Sequence, residues 1–598
     1  MADTMKNTTA KQGAERSQGQ AWLLTSVFIV LGFAAVAYGA LREAIIPGWQ
    51  DTEGFLGHGR YIAEHGALLG FFRESFAGTF PITERHPLYL LLLSPFASTD
   101  PSFFWTAKLL NLLLGAVVLV TVIWMIRKRE GDGPALIAGA LYAVSQSLVV
   151  ASSHVNQEPL FVLCCLWTWW HLTSGPSIRH WALAGFWAAL AYLTKSPAIL
   201  MIGAVGFASL WHPHPEAYAA GSARVSSSEN SENPMLARVR LLASARLWAF
   251  ALALVVTASP LWIRNVIGYG TPLYEGVNSN IMWIDQWKEL GNPSSIMYRD
   301  AYGIKTIERN GLPTAKEYFK THSLKVVAKR LGTGFITETF TVARKALTPV
   351  LPLPKLIAMA WAYGVMVLAI MGWWQKRKQW EGRLFFIWTA LFFVFFSWDA
   401  QLFPEFRYLA PLVPWTCAYA ACALWRLLAR AGRASIAHVA ELAVIAVGVA
   451  LVWTALAGSL TEPRPMVGAA PAYDRLLAWI DREIPQGGTI LLGPSETFYG
   501  LLWRVKAPLR ALQTPNVRTR EDFFTYLAQR KTTHLVIHPE NMFGWGGQLA
   551  DALAPYWGVT GDGNIFERTP LPGWRQVYAD PGQPRRFYIY APIAQGER

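Results

Sequence analysis

The stretch 181-WALAGFWAALAYLTKSPAILMIGAVGFASLW-211 is apolar throughout except near its middle. A bilayer core of ~30 Å needs about 20 helical residues for one crossing. The run is longer than that, and "TKSP" at 194–197 brings a proline that cannot continue a helix. Two shorter helices are expected, with Lys195 at their junction.

Similar apolar runs lie near 21–41, 104–126, 134–152, 156–172, 243–266, 352–374, 384–400, 407–428 and 437–459. With the two halves of 181–211 they make about 11 spans, the pattern of a polytopic α-helical membrane protein. Mean hydropathy of +0.25, 53% hydrophobic residues and only 15% charged residues agree with that class. Cys164, Cys165, Cys417 and Cys422 all fall inside apolar runs, which excludes a disulfide framework or a cysteine-based zinc site in the polar segments. The formal charge of +14 is spread through loops without aromatic-interleaved basic runs, so a nucleic-acid partner is not expected.

Lys/Arg bias orients the spans. With residues 1–20 as a cytoplasmic polar tail, the cytoplasmic segments carry Lys6, Lys11, Arg16, the "RKR" at 127–129, Arg179, Arg224, Arg238, Arg240, the "KRK" at 376–378, Arg383, Arg426, Arg430 and Arg433. The short loops at 153–155, 194–197 and 401–406 carry Lys195 alone before the span that follows. A transmembrane domain over 21–459, with outer loops 42–103 and 267–351, and an extracytoplasmic domain over 460–598 follow from this count. "AVAYGA" at 35–40 would suit signal-peptide cleavage, but the charge pattern favours an uncleaved anchor. Residues 221–234, rich in Ser, Asn and Glu, read as a cytoplasmic loop.

The last segment changes character. Helical periods at 473–484 and 521–530 alternate with strand-like "TILLG" (489–493), "THLVIH" (533–538) and "RRFYIYAPI" (585–593), an α/β pattern without a G-x-G-x-x-G or Walker loop. Residues 324–331, "LKVVAKRL", place Leu324, Val327, Ala328 and Leu331 on one face and Lys325, Lys329 and Arg330 off it, which suits either a bilayer interface or a solvated helix.

Under this topology the polar residues gather at the outer ends of the spans. Asp51, Glu53, Arg85 and His86 lie in the first outer loop, His154 and Glu158 at an outer turn, Lys195 at the "TKSP" break, Arg264 and Asn265 at the end of a span, and Asp399, Glu405 and Arg407 about the tenth. Ionisable groups at such depths are costly and either pair or serve function. A carboxylate that takes a proton from a hydroxyl nucleophile, with Arg and Lys donors for a departing phosphate, would suit a substrate anchored in the lipid bilayer with its headgroup at the surface. The structural alternatives are a helix N-cap for Asp51, a snorkelling arginine for Arg407 and satisfied buried polar residues for Glu158 and His86.

The ordered motifs "DTEGFLGHGRYIAEHG" (51–66), "ERHPLYLLLLSP" (84–95), "NQEPLFVL" (156–163), "AYLTKSPAIL" (191–200), "SPLWIRNVIGYGTPLY" (259–274) and "EFRYLAPLVP" (405–414) resemble the dolichyl-phosphate-mannose protein mannosyltransferases of glycosyltransferase family 39. They are also similar to the lipid A aminoarabinose transferases. The resemblance runs over about 21–430 and implies a C-type glycosyltransferase fold, a polyprenyl-phosphate sugar donor and transfer to a protein, lipid or glycan acceptor of the cell envelope. It implies Asp51 as general base or acceptor-orienting group and Arg85, Lys195, Arg264 and Arg407 with Tyr408 as substrate or donor-phosphate ligands; Glu53, His86 and Glu158, on the same face, are accessory candidates read from the residues themselves. Ser196 stands where the family's lysine motif has glycine, and Asp51-Thr52-Glu53 replaces adjacent acidic residues.

Asp51, Glu53 and Glu158 could together hold a divalent metal. His212 and His214 lack further ligands, and His534 and His538, ~13 Å apart along a strand, do not chelate together. A lipid flippase or transporter would show an internal repeat, which the chain lacks; a non-catalytic cell-envelope scaffold remains the third class.

Overall fold

The computed structural model describes residues 22–40, 50–211, 245–276, 278–286, 297–307, 314–402, 404–431, 445–454, 469–491, 502–512, 519–538, 553–560, 564–582, 585 and 587–593. The polar tail 1–20, the loop 221–234, His212 and His214 lie outside them, as does the side chain of Glu53. The chain divides into two compact units, the first of 1–42, 108–259 and 328–462, the second of 43–107, 260–327 and 463–598.

The first unit is helical. Among the described residues of the whole chain six helices have the length and composition to cross a membrane: Trp22–Ala40, Ser102–Glu130, Ala245–Tyr269, Lys355–Lys376, Trp380–Asp399 and Phe406–Arg430. The expected count of about 11 is thus met only in part. The run 134–152 is divided between Asp132–Ala143 and Gln146–Ser153, where Ser145 bridges to Pro349 and caps the second helix. The run 156–172 gives Glu158–Thr173, of 16 residues, shorter than one perpendicular crossing. The break in 181–211 falls at "TKSP": one helix is Ile178–Thr194, the next Ala198–Trp211. Of the run 437–459 the helix Ile445–Thr454 is described. The four cysteines are buried and free.

Close packing explains several glycines of these helices. A Cβ on Gly334 would come within 1.8 Å of the Ser397 carbonyl oxygen, and one on Gly372 within 2.0 Å of that of Tyr419, so backbones meet there at a distance no other residue permits. The helix Leu324–Thr337 forms as its period suggests, but Arg330 is not on an exposed polar face. It is buried, its Nε donates to the Trp398 carbonyl at 3.0 Å and its guanidinium lies 4.4 Å from that indole ring.

The second unit holds a seven-stranded mixed sheet. Its strands, in chain order, are β1 (Met297–Asp300), β2 (Lys305–Ile307), β3 (Gly488–Leu491), β4 (Leu509–Leu512), β5 (His534–Ile537), then, after β6 (Trp557–Val559) and β7 (Ile565–Glu567), which pair with each other, β8 (Trp574–Ala579) and β9 (Tyr588–Pro592). The spatial order is β2-β1-β4-β3-β5-β9-β8, with β3 parallel to both β4 and β5. Strand alternation sorts the core: Ile490, Val536 and Ile589 pack with Leu476 and Ile480 of the helix Ala469–Glu483, while Leu491, Leu535, Ile537 and Tyr590 face Phe523 and Leu527 of Arg520–Gln529. The hairpin β1–β2 comes from the expected outer loop 267–351, so the sheet draws on residues well before 460.

Candidate active site

Within the second unit the helix Gln50–Glu64 begins with Asp51 in its first turn. Three glycines in a helix this short would each cost about 1 kcal/mol relative to alanine. Gly57 has a reason to be there: a Cβ would stand 2.1 Å from the Tyr302 carbonyl oxygen in the β1–β2 turn. On the opposite side Phe55 is buried edge-on against Tyr89, with ring centroids 5.1 Å apart.

The motif "ERHP" (84–87) has a local logic. Pro87 opens the helix Pro87–Leu93, where its missing N–H is not needed, and holds His86 extended before it. Three successive side chains then each meet an opposite charge or its potential source. Glu84 Oε1 lies 3.7 Å from Nε2 of the fully buried His58, Arg85 is paired with Asp51 through Nη2, and His86 Nε2 lies 3.8 Å from Glu275 Oε1. The Arg85 guanidinium also sits 5.0 Å from the Phe55 ring.

Arg264 and Asn265 brace this arrangement from the helix Ala245–Tyr269. The buried Arg264 donates from Nη1 to the Ile82 carbonyl at 2.7 Å, just ahead of Glu84. Asn265 donates to the carbonyls of Pro272 and Tyr274, at 2.7 and 3.2 Å, which closes the loop that presents Glu275. Sequence reading singled out Asp51, Arg85, His86 and Arg264 but missed Glu84, His58 and Glu275. The available signal for Glu84 was its place beside Arg85 in a short polar motif; His58 and Glu275 carry none.

The first unit contains a second polar cluster. Glu158 opens its helix, with its backbone N–H donating to Asn156 Oδ1, and Asn111 donates to the Asn156 carbonyl at 2.7 Å. Lys195 caps the C-terminus of Ile178–Thr194 in an extended conformation, which carries its side chain to Glu158 Oε1 at 2.6 Å. Its Nζ is 5.0 Å from the ring of Tyr408, which stacks on Phe396 with centroids 5.0 Å apart. Arg407 is paired with Glu405. Glu338, buried on a π-helical turn (Glu338–Val342), is a further ionisable residue that sequence reading did not single out. Its burial, and then the charge of Asp399, push its carboxyl up to about 7.

These pairings bear on a metal. Asp51 and Glu158 are each neutralised by a cation, and among the described residues no group of three or more His, Cys, Asp or Glu side chains could hold an ion.

Residues 87–220 match the family described as dolichyl-phosphate-mannose-protein mannosyltransferase. No curated protein matches the chain. Among solved structures, ArnT from Cupriavidus metallidurans in the apo state matches with a TM-score of 0.51 and 14% identity, covering 96% of this chain and 99% of that one. The same protein bound to undecaprenyl phosphate matches with a TM-score of 0.50 and 13% identity, over 96% and 98%. The apo oligosaccharyltransferase of Archaeoglobus fulgidus is more distant, with a TM-score of 0.44 and 12% identity over 92% and 80%. The chain is thus a multi-pass membrane protein with the fold of ArnT that carries the mannosyltransferase family's sequence signature over residues 87–220.

Proposed function

We propose that the protein is an inverting glycosyltransferase that moves a sugar from a polyprenyl-phosphate donor to a hydroxyl or amine acceptor on the outer face of the membrane. The observation that carries this reading is the Asp51–Arg85 pair, a carboxylate and a guanidinium drawn together from segments 34 residues apart. A donor phosphate competes with Asp51 for Arg85, because a guanidinium binds phosphate through the same pair of N–H donors that binds carboxylate. Donor binding therefore frees the base at the moment it is needed.

The acceptor oxygen or nitrogen then attacks the anomeric carbon from the side opposite the phosphate. Asp51 takes the acceptor proton, the bond from the anomeric carbon to the phosphate oxygen breaks, and the electron pair leaves with the polyprenyl phosphate. Arg85 stabilises the growing negative charge. Arg264 holds the Ile82–Arg85 segment in place, His86 with Glu275 borders it as an accessory pair, and Glu53 keeps an accessory assignment. Lys195, which the resemblance assigns to the donor phosphate with Arg407 and Tyr408, is held instead by Glu158 and is read as a structural charge.

The test is transfer of labelled sugar from a panel of polyprenyl-phosphate sugars by the full chain in nanodiscs, beside Asp51→Asn. Turnover in the wild type and its loss in the variant at unchanged thermal stability is the expected result. Equal turnover in both would remove Asp51 from the mechanism, and no turnover from any donor would overturn the transferase reading.

A further inference from the structure

We propose that Arg60 is a positioning residue for the reaction, one that fixes Asp51 by pinning the far end of its helix to backbone carbonyls of the C-terminal α/β region. The proposal rests on the reading of Asp51 as the base. It makes the α/β region part of the scaffold that orients the chemistry.

The geometry is that of a clamp. Arg60 is 5% exposed, and its Nη1 donates to the carbonyls of Trp503 and Val505 at 2.9 and 2.6 Å, more than 440 residues further along the chain. These carbonyls lie at and just past the short 3₁₀ turn Leu502–Arg504, where backbone acceptors run out of helical partners. Trp503 is itself fixed edge-on to Phe103, with centroids 5.7 Å apart. On its other side Arg60 Nε donates to Glu64 Oε1 at 2.7 Å, Tyr302 donates its hydroxyl to Glu64 Oε2 at 2.6 Å, and the guanidinium lies 4.9 Å from the Tyr302 ring. The bare Gly57 lets the β1–β2 turn close on the same helix. Three distant segments of the second unit therefore meet at the last turns of Gln50–Glu64.

Leverage makes this matter for Asp51. Nine residues of helix separate it from Arg60, ~13 Å along the axis, so a tilt of about 10° at the clamp moves Asp51 by ~2 Å. A misplacement of ~1 Å can lower a rate ~100-fold. A snorkelling arginine does not account for the arrangement, because this one points its charge into protein and satisfies two carbonyls there. Lysine has three N–H donors but all on one nitrogen, so it reaches a carbonyl without spanning to Glu64 as the guanidinium fork does, and it restores part of the clamp.

The test uses the full chain in nanodiscs, with Arg60→Met, which keeps the aliphatic stem, and Arg60→Lys. Sugar transfer is measured together with hydrogen exchange of residues 50–57 and of β5. Arg60→Met is expected to lower kcat about 100-fold with donor KM within about threefold, and to quicken exchange over 50–57 while β5 is unchanged; Arg60→Lys recovers kcat to within about tenfold of wild type. Wild-type kcat in Arg60→Met overturns the proposal, as does a loss of kcat accompanied by quickened exchange throughout the sheet. Should Arg60→Met fail to fold, Arg60→Lys is judged by the same two readouts. If the wild type transfers from no donor, the transferase reading has failed on its own account. Exchange then decides the clamp: local loosening over 50–57 upholds it and unchanged exchange overturns it.

Discussion

The two polar clusters solve the cost of keeping charge out of water in different ways. In the first unit Lys195 and Glu158 form a dry pair, with side chains 11% and 2% exposed. In the second, Arg85 and Asp51 are 13% and 22% exposed, and the charged or chargeable residues on either side of Arg85 have partners of their own. A dry pair is expensive to part, since each partner alone leaves a charge without water. A pair whose carboxylate still reaches water can trade it for a phosphate at smaller cost. The difference separates a charge used for holding from a charge available for exchange.

Asp51→Asn gives the largest expected effect on that distinction. It keeps the side chain's shape and removes its basicity, so turnover should fall by about 10³-fold or more, toward the upper range for loss of a general base, with the melting temperature within about 2 °C of wild type. A melting temperature that fell in step with turnover would make Asp51 a structural charge and erase the contrast.

Lys195→Met tests the other side. Removing one partner of a buried pair typically costs about 3–5 kcal/mol, and replacing both recovers most of it. Lys195→Met should therefore unfold at markedly lower temperature, and Lys195→Met with Glu158→Leu should return toward wild type. If the single variant is as stable as wild type yet binds donor weakly, Lys195 is an exchangeable charge and belongs with Arg85. Donor affinity measured on the stable double variant separates the two outcomes.

Much of this contrast was invisible in the sequence for a physical reason. The helix break at 194–197 was legible because Pro197 forbids continuation whatever surrounds it, and β3, β5 and β9 because a short apolar run between polar segments is a local property of the chain. Except for Glu84, His58 and Glu275, the ionisable residues of both clusters were legible as a set, since charge is rare in so apolar a chain. Their pairings were not: His58 with Glu84, Arg264 with the Ile82 carbonyl and Arg60 with residues 503 and 505 depend on how distant segments pack, which no local period encodes. The hairpin β1–β2 escaped notice for a related reason, because strands of four and three residues leave too short a pattern to stand out from a loop.

Arg264→Lys sharpens the account of the Asp51–Arg85 cluster. Lysine keeps the charge but loses the fork that reaches the Ile82 carbonyl, so the segment carrying Arg85 should loosen without unfolding. Donor KM should rise about tenfold and kcat fall less, since what is lost is placement of a binding cation. A kcat loss as large as that of Asp51→Asn at unchanged KM would instead give Arg264 a direct part in stabilising the transition state.

The smallest expected effect concerns Glu338, a buried carboxyl that belongs to neither pair. Its proton affinity is raised in the fold to about 7, first by burial and then by Asp399, whereas an unfolded chain would hold the proton only to about 4.3. Between those values the native state binds more protons than the unfolded one, so stability falls as pH rises through that window. The protonated form is the stable one, which reverses the sign expected of a carboxylate held by a salt bridge. Glu338→Gln, which mimics the protonated form, should leave the melting temperature unchanged near pH 4.5 and raise it near pH 8 by an amount reflecting about 1–3 kcal/mol. A loss of stability at pH 8 would mean that the ionised carboxylate is bound by a cation, and Glu338 would then join Lys195 and Glu158 as a charge used for holding.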